Sequence, residues 1–208
     1  MNEQKCNLAA RTYHQLLEAI CSGHLRPGAR LNQDDLAARL EVSRQPVNQA
    51  IALLKAQHFL LDTGKRGVIV APVDEQHFKA IYEFRTVVEP LATWLAAEGL
   101  TDEARQHGKA IIAKGKSLAG SDDHVAHLRM DMLFHDWLYT LGGNALVADS
   151  MRINWRHMQR SMGAVLRQPG ELERVWSEHE AIFLAICSNE PAAAATIMRE
   201  HMTKSIFR

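Results

Sequence analysis

Asp131, His135, His179 and His201 are polar side chains set among apolar positions of helical patterns, and they are candidates for holding a metal ion. Asp131 and His135 are four residues apart, which on a helix places them on one face. Leu128, Met132 and Leu138 flank that face and turn it toward a core. His179 sits in Glu178-His179-Glu180-Ala181-Ile182, where Ile182, Phe183 and Ile186 give the same inward bias. His201 follows Ile197 and Met198 in another helical pattern. A buried carboxylate and buried imidazoles are costly unless paired or ligated. One carboxylate and three imidazoles suit a first-row divalent ion such as Zn²⁺, Ni²⁺ or Mn²⁺, one per chain, with open positions left over. With 11 histidines in the chain, the residues alone leave a second reading open: a hydrogen-bonded network without an ion.

An open position on such an ion accepts a carboxylate oxygen, and a nearby guanidinium pairs with the rest of the anion. Arg85, Arg152 and Arg156 are the candidates for that role in binding a small organic-acid effector. Arg85 has a structural alternative, pairing with Glu89 one turn later. A metal-activated water would make the site an enzyme's, but no nucleophile–base pair or general acid accompanies it. Trp94, Trp137, Trp155 and Trp176 are expected in core or dimer packing, and His107, His124 and His127 on the surface.

A second constellation lies near the N-terminus. Leu40–Leu54 reads as a tight turn feeding a helix, with Ser43 as N-cap and Pro46 in the first turn. Val47, Ala50, Ile51 and Leu54 make its apolar face, while Arg44, Gln45, Asn48 and Gln49 offer groups that fit base edges and phosphates. A helix with an apolar back and a polar, exposed start has the form of a helix-turn-helix recognition helix. Two short strands, at 59–62 and 68–71, flank a turn carrying Lys65, Arg66 and Gly67, a wing able to reach a phosphate backbone.

The elements that must position these groups follow from periodicity. Helices are expected over 8–22, from Asn32 to Leu40, and from the tight turn to about Gln57. After Pro72 the pattern turns all-helical, with helices near 74–99, 101–119, 122–141, 144–166, 171–188 and 191–206. The fold class is mainly α: a winged helix-turn-helix over residues 1–72 and an antiparallel bundle of about six helices over 73–208. The 24 Lys+Arg balance 24 Asp+Glu, so global charge identifies no partner. Within residues 1–72, nine cations face six acids, a mildly basic surplus. Cys6, Cys21 and Cys187 have no metal-like spacing and are expected as free thiols. No apolar run reaches membrane-spanning length and the start lacks a signal-peptide pattern, so no membrane association and a cytoplasmic location are expected.

The motif Gly23-x-Leu25-x-Pro27-Gly28-x-x-Leu31, then Leu36-Ala37-x-x-Leu40-x-Val42-Ser43-Arg44-x-Pro46-Val47-x-x-Ala50, and Gly67-x-x-Val70, resembles the winged helix-turn-helix of GntR-family transcription regulators. The resemblance implies DNA contacts from Arg44, Gln45, Pro46, Asn48, Lys65, Arg66 and Gly67, and a homodimer on a palindromic double-stranded operator. Three positions depart from it: Asp34, Asn48 and Gln49 stand where members often carry a basic residue, Arg and Glu respectively. Phe84-Arg85-x-x-x-Glu89-Pro90-Leu91-Ala92, Asp131-x-x-Phe134-His135, Gly143-Asn144, His179-Glu180-x-Ile182 and His201 resemble the FCD ligand-binding domain of the FadR subfamily, in its shorter, VanR-like form. That resemblance implies a metal on Asp131, His135, His179 and His201 and a regulator, commonly a repressor, that answers to a small carboxylate. A metal-responsive regulator, in which the ion is the signal, is the alternative, and a metal-dependent enzyme a more distant one.

Overall fold

The structure is a computed structural model describing residues 2–64, 67–119, 121, 123–162 and 171–206. It divides into two compact units, Met1–Asp74 and Glu75–Arg208.

The first unit holds α1 (Asn2–Cys21), β1 (Arg30–Leu31), α2 (Gln33–Arg39), α3 (Arg44–Ala56), β2 (Leu60–Asp62) and β3 (Val68–Val70). α1 starts earlier than the apolar spacing from Leu8 predicts. Its inner face (Leu16, Leu17, Ile20) packs with Leu36, Val47, Ala50, Ile51, Leu54, Phe59 and Val70 in one buried cluster. The Asn32 side chain accepts from the Asp34 N–H and caps α2 as expected. Ser43 stands at the N-cap of α3 in an extended conformation, but its hydroxyl makes no capping bond. The turn between the two helices runs through Glu41 at φ 53°, a left-handed position for a non-glycine residue. It is closed by bonds from the Val42 N–H to the Ala37 carbonyl and from the Glu41 N–H to the Ala38 carbonyl.

The two expected strands are present, and a third joins them. The sheet order is β1-β3-β2, antiparallel throughout, with Leu31 opposite Val68 and Leu60 opposite Val70. At two residues, β1 is too short to show alternation, so periodicity could not reveal it. Gly67 is tightly enclosed: a Cβ there would sit 2.2 Å from the Thr63 hydroxyl. Lys65 and Arg66 lie outside the described residues.

The second unit contains α4 (Glu75–Glu98), α5 (Asp102–Leu118), α6 (His124–Gly142), α7 (Ala145–Met162), α8 (Glu171–Cys187) and α9 (Pro191–Ile206). These six helices match the expected bundle; the predicted end of the fourth of them, at 166, lies outside the described residues. α6 ends at Gly143, whose φ of 65° is left-handed, the usual helix stop. Asn189 at φ 56° breaks the chain before Pro191 opens α9, where a missing N–H costs nothing. α4 runs along α9 and also touches α6, α7 and α8, so it is the central helix. Its inner face carries Ile81, Tyr82, Arg85, Glu89, Ala92 and Ala96. The core gathers Phe134, Trp137, Leu138, Met151, Trp155, Met158, Trp176, Ile182, Ile186 and Met198 around it. Among the described residues no helix is long and apolar enough to cross a membrane.

Of the tryptophans expected in core or dimer packing, Trp137, Trp155 and Trp176 lie in the core, and Trp94 is 40% exposed. His127 corrects the expectation of a surface histidine: it is buried, with Nε2 facing the Ser121 carbonyl at 3.2 Å. A position one turn into α6 and on its inward face accounts for that burial.

Candidate functional site

Three helices bring the predicted ligands together. α6 supplies Asp131 and His135, α8 supplies His179 and α9 supplies His201. The three histidines are buried and offer ring nitrogens that all lie within 4.8 Å of one another. His179 Nε2 is 3.2 Å from His201 Nε2 and 3.5 Å from Asp131 Oδ1. His135 Nε2 is 3.9 Å from the same Asp131 oxygen.

Carboxylates behind the rings decide which nitrogens face the centre. His135 Nδ1 donates to Glu89 Oε2 at 2.6 Å, and His201 Nδ1 donates to Glu178 Oε2 at 2.7 Å. An ionised carboxylate only accepts, so each Nδ1 carries a proton and each Nε2 is turned toward the centre. Carboxylate–imidazole pairs of this kind orient metal-binding histidines. Both acids are ionised. Burial pushes the Glu89 carboxyl up, but the charges of His135 and Arg85 and the bonds from His135 and Tyr139 hold it well below its ordinary value. Burial raises Glu178 as well, but the His201 hydrogen bond and the charges of His201, Arg174 and Lys204 outweigh it, leaving about 2.

His201 Nε2 meets His179 Nε2 at 3.2 Å, so something positive must lie between them: a proton on one ring or a cation. Burial, then the charges of His201, His135 and Arg85, push the His179 pKa well down; burial lowers His201 against the opposing Glu178 bond. Neutral imidazoles at ordinary pH are the form that ligates. The donor set of three nitrogens and one carboxylate oxygen therefore fits a divalent ion. Phe134 stacks on the His179 ring at 4.2 Å and Trp176 meets it edge-on at 5.0 Å. Among the described residues, His179 Nδ1 has no hydrogen-bond partner. Gly115 on α5 makes room for this arrangement, since a Cβ there would stand 2.3 Å from the Trp176 ring.

Arg85 reaches the centre from α4. It is buried, its Nε donates to Glu89 Oε1 at 2.7 Å, and its Cζ lies 4.5 Å over the Trp155 ring. Its outer nitrogens have weaker partners: Nη2 is 3.3 Å from His135 Nε2 and Nη1 is 3.4 Å from Met158 Sδ. The structural pairing with Glu89 and a place beside the ligand cluster thus coexist. Arg152 is exposed and ion-paired with Asp149 at 2.9 Å, away from this cluster. Arg156 is half-buried and donates to Gln159 at 3.3 Å. The sequence reading did not assign Glu89 as a His135 partner, nor Glu178 or Tyr139 any role, although Tyr139 donates to Glu89 Oε1 at 2.7 Å. Glu178 is adjacent to His179, a cue that could have drawn attention to it.

In the first unit, Arg44, Gln45 and Asn48 are exposed at the start of α3, while Pro46 is buried and packs inward. Arg44 and Asn48 line an open groove with Arg30, Asp34, Lys55 and Gly67. The Arg44 guanidinium is held by Asp34, with Nε and Nη2 each facing one carboxylate oxygen. Lys55 is likewise paired with Asp62 at 2.6 Å.

Comparison with known proteins covers both units. Residues 80–204 match the FCD domain, and residues 8–70 match the family described as bacterial regulatory proteins, gntR family. The Nta operon transcriptional regulator of Aminobacter aminovorans is 37% identical over 131 residues, 63% of this chain and 62% of that protein. The uncharacterized HTH-type transcriptional regulator YdhC of Bacillus subtilis is 28% identical over 137 residues, 64% of this chain and 59% of that protein. The aligned part of this chain thus spans less than two thirds of either relative. The solved structure of Escherichia coli McbR/YncC superposes with a TM-score of 0.78 at 21% identity, covering 96% of this chain and 95% of that one, a likeness of fold.

Proposed function

The chain belongs to the FCD-bearing branch of the gntR family of bacterial regulatory proteins, and from that premise we propose that it is a DNA-binding transcription repressor controlled by a small carboxylate at a metal centre. The observation that carries the proposal is the convergence of His135, His179 and His201 ring nitrogens with Asp131 Oδ1. Asp131, His135, His179 and His201 hold one Zn²⁺, Ni²⁺ or Mn²⁺. When bound, the ion supplies Lewis-acid positions for a carboxylate oxygen.

Glu89 and Glu178 keep the His135 and His201 rings turned inward. Arg85 completes the anion site. Its Nε is committed to Glu89, while Nη1 and Nη2 face a thioether and an imidazole, so both retain donor capacity for an anion. Of the other sequence-based candidates, Arg152 is exposed and paired with Asp149, and half-buried Arg156 donates to Gln159. A buried guanidinium beside a cation site favours a compact anion over a neutral ligand.

The reading head consists of Arg44, Gln45 and Asn48 with the wing around Lys65, Arg66 and Gly67. One recognition helix reads few bases, so two copies act on a palindrome. α4 leaves Phe84, Val87, Leu91 and Trp94 exposed at helical spacing, Val87 by 71%, an apolar stripe that suits a second copy of this chain. The carboxylate binds one arrangement of the helical units better than the other, and residues 71–75 pass that bias to the DNA heads. The site of action is the cytoplasm, where operator and metabolite meet.

The test is a titration of metal-stripped protein, first with Zn²⁺, Ni²⁺ or Mn²⁺ alone and then with organic acids at saturating metal. The melting temperature and the affinity for a selected duplex are followed together. A metal-dependent response of both to a carboxylate is expected. A change of DNA affinity on metal alone, with no further response to any acid, points instead to a metal-responsive regulator.

A further inference from the structure

The pair formed by Arg44 and Asp34 has a geometry with consequences for how DNA is read. Arg44 is the first residue of α3, and its side chain is 68% exposed; Asp34 lies in the first turn of α2 and is 56% exposed. The Asp34 backbone is held at the start of its helix, because its N–H donates to the Asn32 side chain at 2.8 Å. The carboxylate engages the guanidinium side-on, one oxygen on Nε and the other on Nη2. That edge is therefore occupied. The opposite edge, formed by Nη1 and the outer hydrogen of Nη2, faces away from Asp34 and keeps a parallel pair of donors. This is the fork that matches O6 and N7 of guanine.

Resting on the DNA-binding reading above, we propose that Asp34 is a specificity-determining positioning residue: it presents Arg44 to a guanine and withholds it from phosphates. Two physical effects act together. An arginine on an exposed helix start explores many rotamers and meets phosphates on any sequence; a carboxylate behind it restricts the plane of the fork before DNA arrives. The acid also carries negative charge into a groove that meets a polyanion, so sequence-independent attraction is reduced while a correctly placed guanine still finds both donors. Lys55 and Asp62, lining the same groove, form a second pair at 2.6 Å. A lysine has no planar fork, so that pair lowers phosphate attraction without aiming at a base.

The experiment uses the full chain. Wild type, Asp34→Asn and Asp62→Asn are each used to select duplexes from a random pool. Binding is then measured on the wild-type-selected duplex, on the same duplex with 7-deazaguanine at each guanine in turn, and on a scrambled duplex across a salt series. The wild type should lose roughly ten-fold or more at one guanine per half-site when N7 is removed. Asp34→Asn should lose most of that discrimination, bind the scrambled duplex several-fold more tightly, and steepen the logarithmic salt slope by roughly 0.9. Asp62→Asn should also tighten scrambled-duplex binding but keep the guanine discrimination. An Asp34→Asn variant that keeps wild-type discrimination overturns the proposal, even if its salt slope changes. A wild type that selects no duplex overturns the DNA-binding reading itself, and this one with it.

Discussion

His179 Nε2 and His201 Nε2 face each other across 3.2 Å in a buried centre, and the His201 Nδ1 proton is committed to Glu178 on the other side. Two imidazoles so placed need a proton or a cation between them. A third imidazole and a carboxylate aimed at the same point favour the cation.

Replacing both His179 and His201 by Ala removes two of the four ligands. The double variant should retain no stoichiometric metal on elemental analysis. It should also lose the stabilisation that bound ion gives the wild type, about 2.7 kcal/mol at a free concentration one hundred times the dissociation constant. A double variant whose melting temperature still rises with added Zn²⁺ as the wild type's does contradicts the assignment.

Glu178→Ala takes away the acceptor of the His201 Nδ1 proton but no ligand. Loss of such an orienting carboxylate weakens metal binding by roughly 10- to 100-fold. Competition against a chromogenic chelator measures it; unchanged affinity would show that the ring is held by packing alone.

Glu89→Ala strands a buried, charged Arg85 and removes the partner of both His135 and Tyr139. Breaking one side of a buried pair costs about 3–5 kcal/mol. Urea unfolding followed by tryptophan fluorescence should show a midpoint shift of that size in the helical unit. A shift below about 1 kcal/mol, the range of exposed pairs, contradicts the burial argument.

Gly115→Ala forces a methyl group against the Trp176 ring, which abuts His179. Overpacking of this kind costs about 1–3 kcal/mol. The displacement should reach the ligand, so metal affinity should fall with stability; a stable variant with wild-type metal affinity shows that Trp176 does not support the site.

The pH dependence of the metal-free protein follows from His179 and His201, whose folded pKa values are pushed down, chiefly by burial. A histidine with a depressed folded pKa binds fewer protons folded than unfolded below about 6.5. Its contribution to stability is complete above that value and is lost as pH falls. The urea midpoint should therefore drop between about pH 7 and pH 5, and the His179/His201 double Ala variant should flatten the curve in that window. An equal slope in both proteins contradicts the assignment.

In the sequence, the set Asp131, His135, His179 and His201 is marked mainly by resemblance to the FCD domain; the residues themselves offer only the shared helix face of Asp131 and His135 and apolar neighbours around each histidine. The carboxylates that orient them could not be read there. Glu89 reaches His135 from another helix, and Glu178 reaches His201 across 23 residues, distances that no local pattern encodes. Arg85 presented two roles that looked exclusive in the sequence; a guanidinium has enough donors to serve Glu89 with one edge and the ligand cluster with the other. The missed strand β1 is two residues long, and its pairing with β3 is set by tertiary contact. Asp34 stood out as an acid on a DNA-reading head, yet its partner lies ten positions away across the turn. The pairing therefore needed the angle between α2 and α3 to be seen.

The most direct test of the metal centre is calorimetric titration of metal-stripped, full-length protein with Zn²⁺, beside the Asp131→Ala, His179→Ala, His201→Ala triple variant. One ion per chain is expected for the wild type and none for the triple variant. A wild type that binds no ion, or a triple variant that binds one as tightly, contradicts the metal assignment.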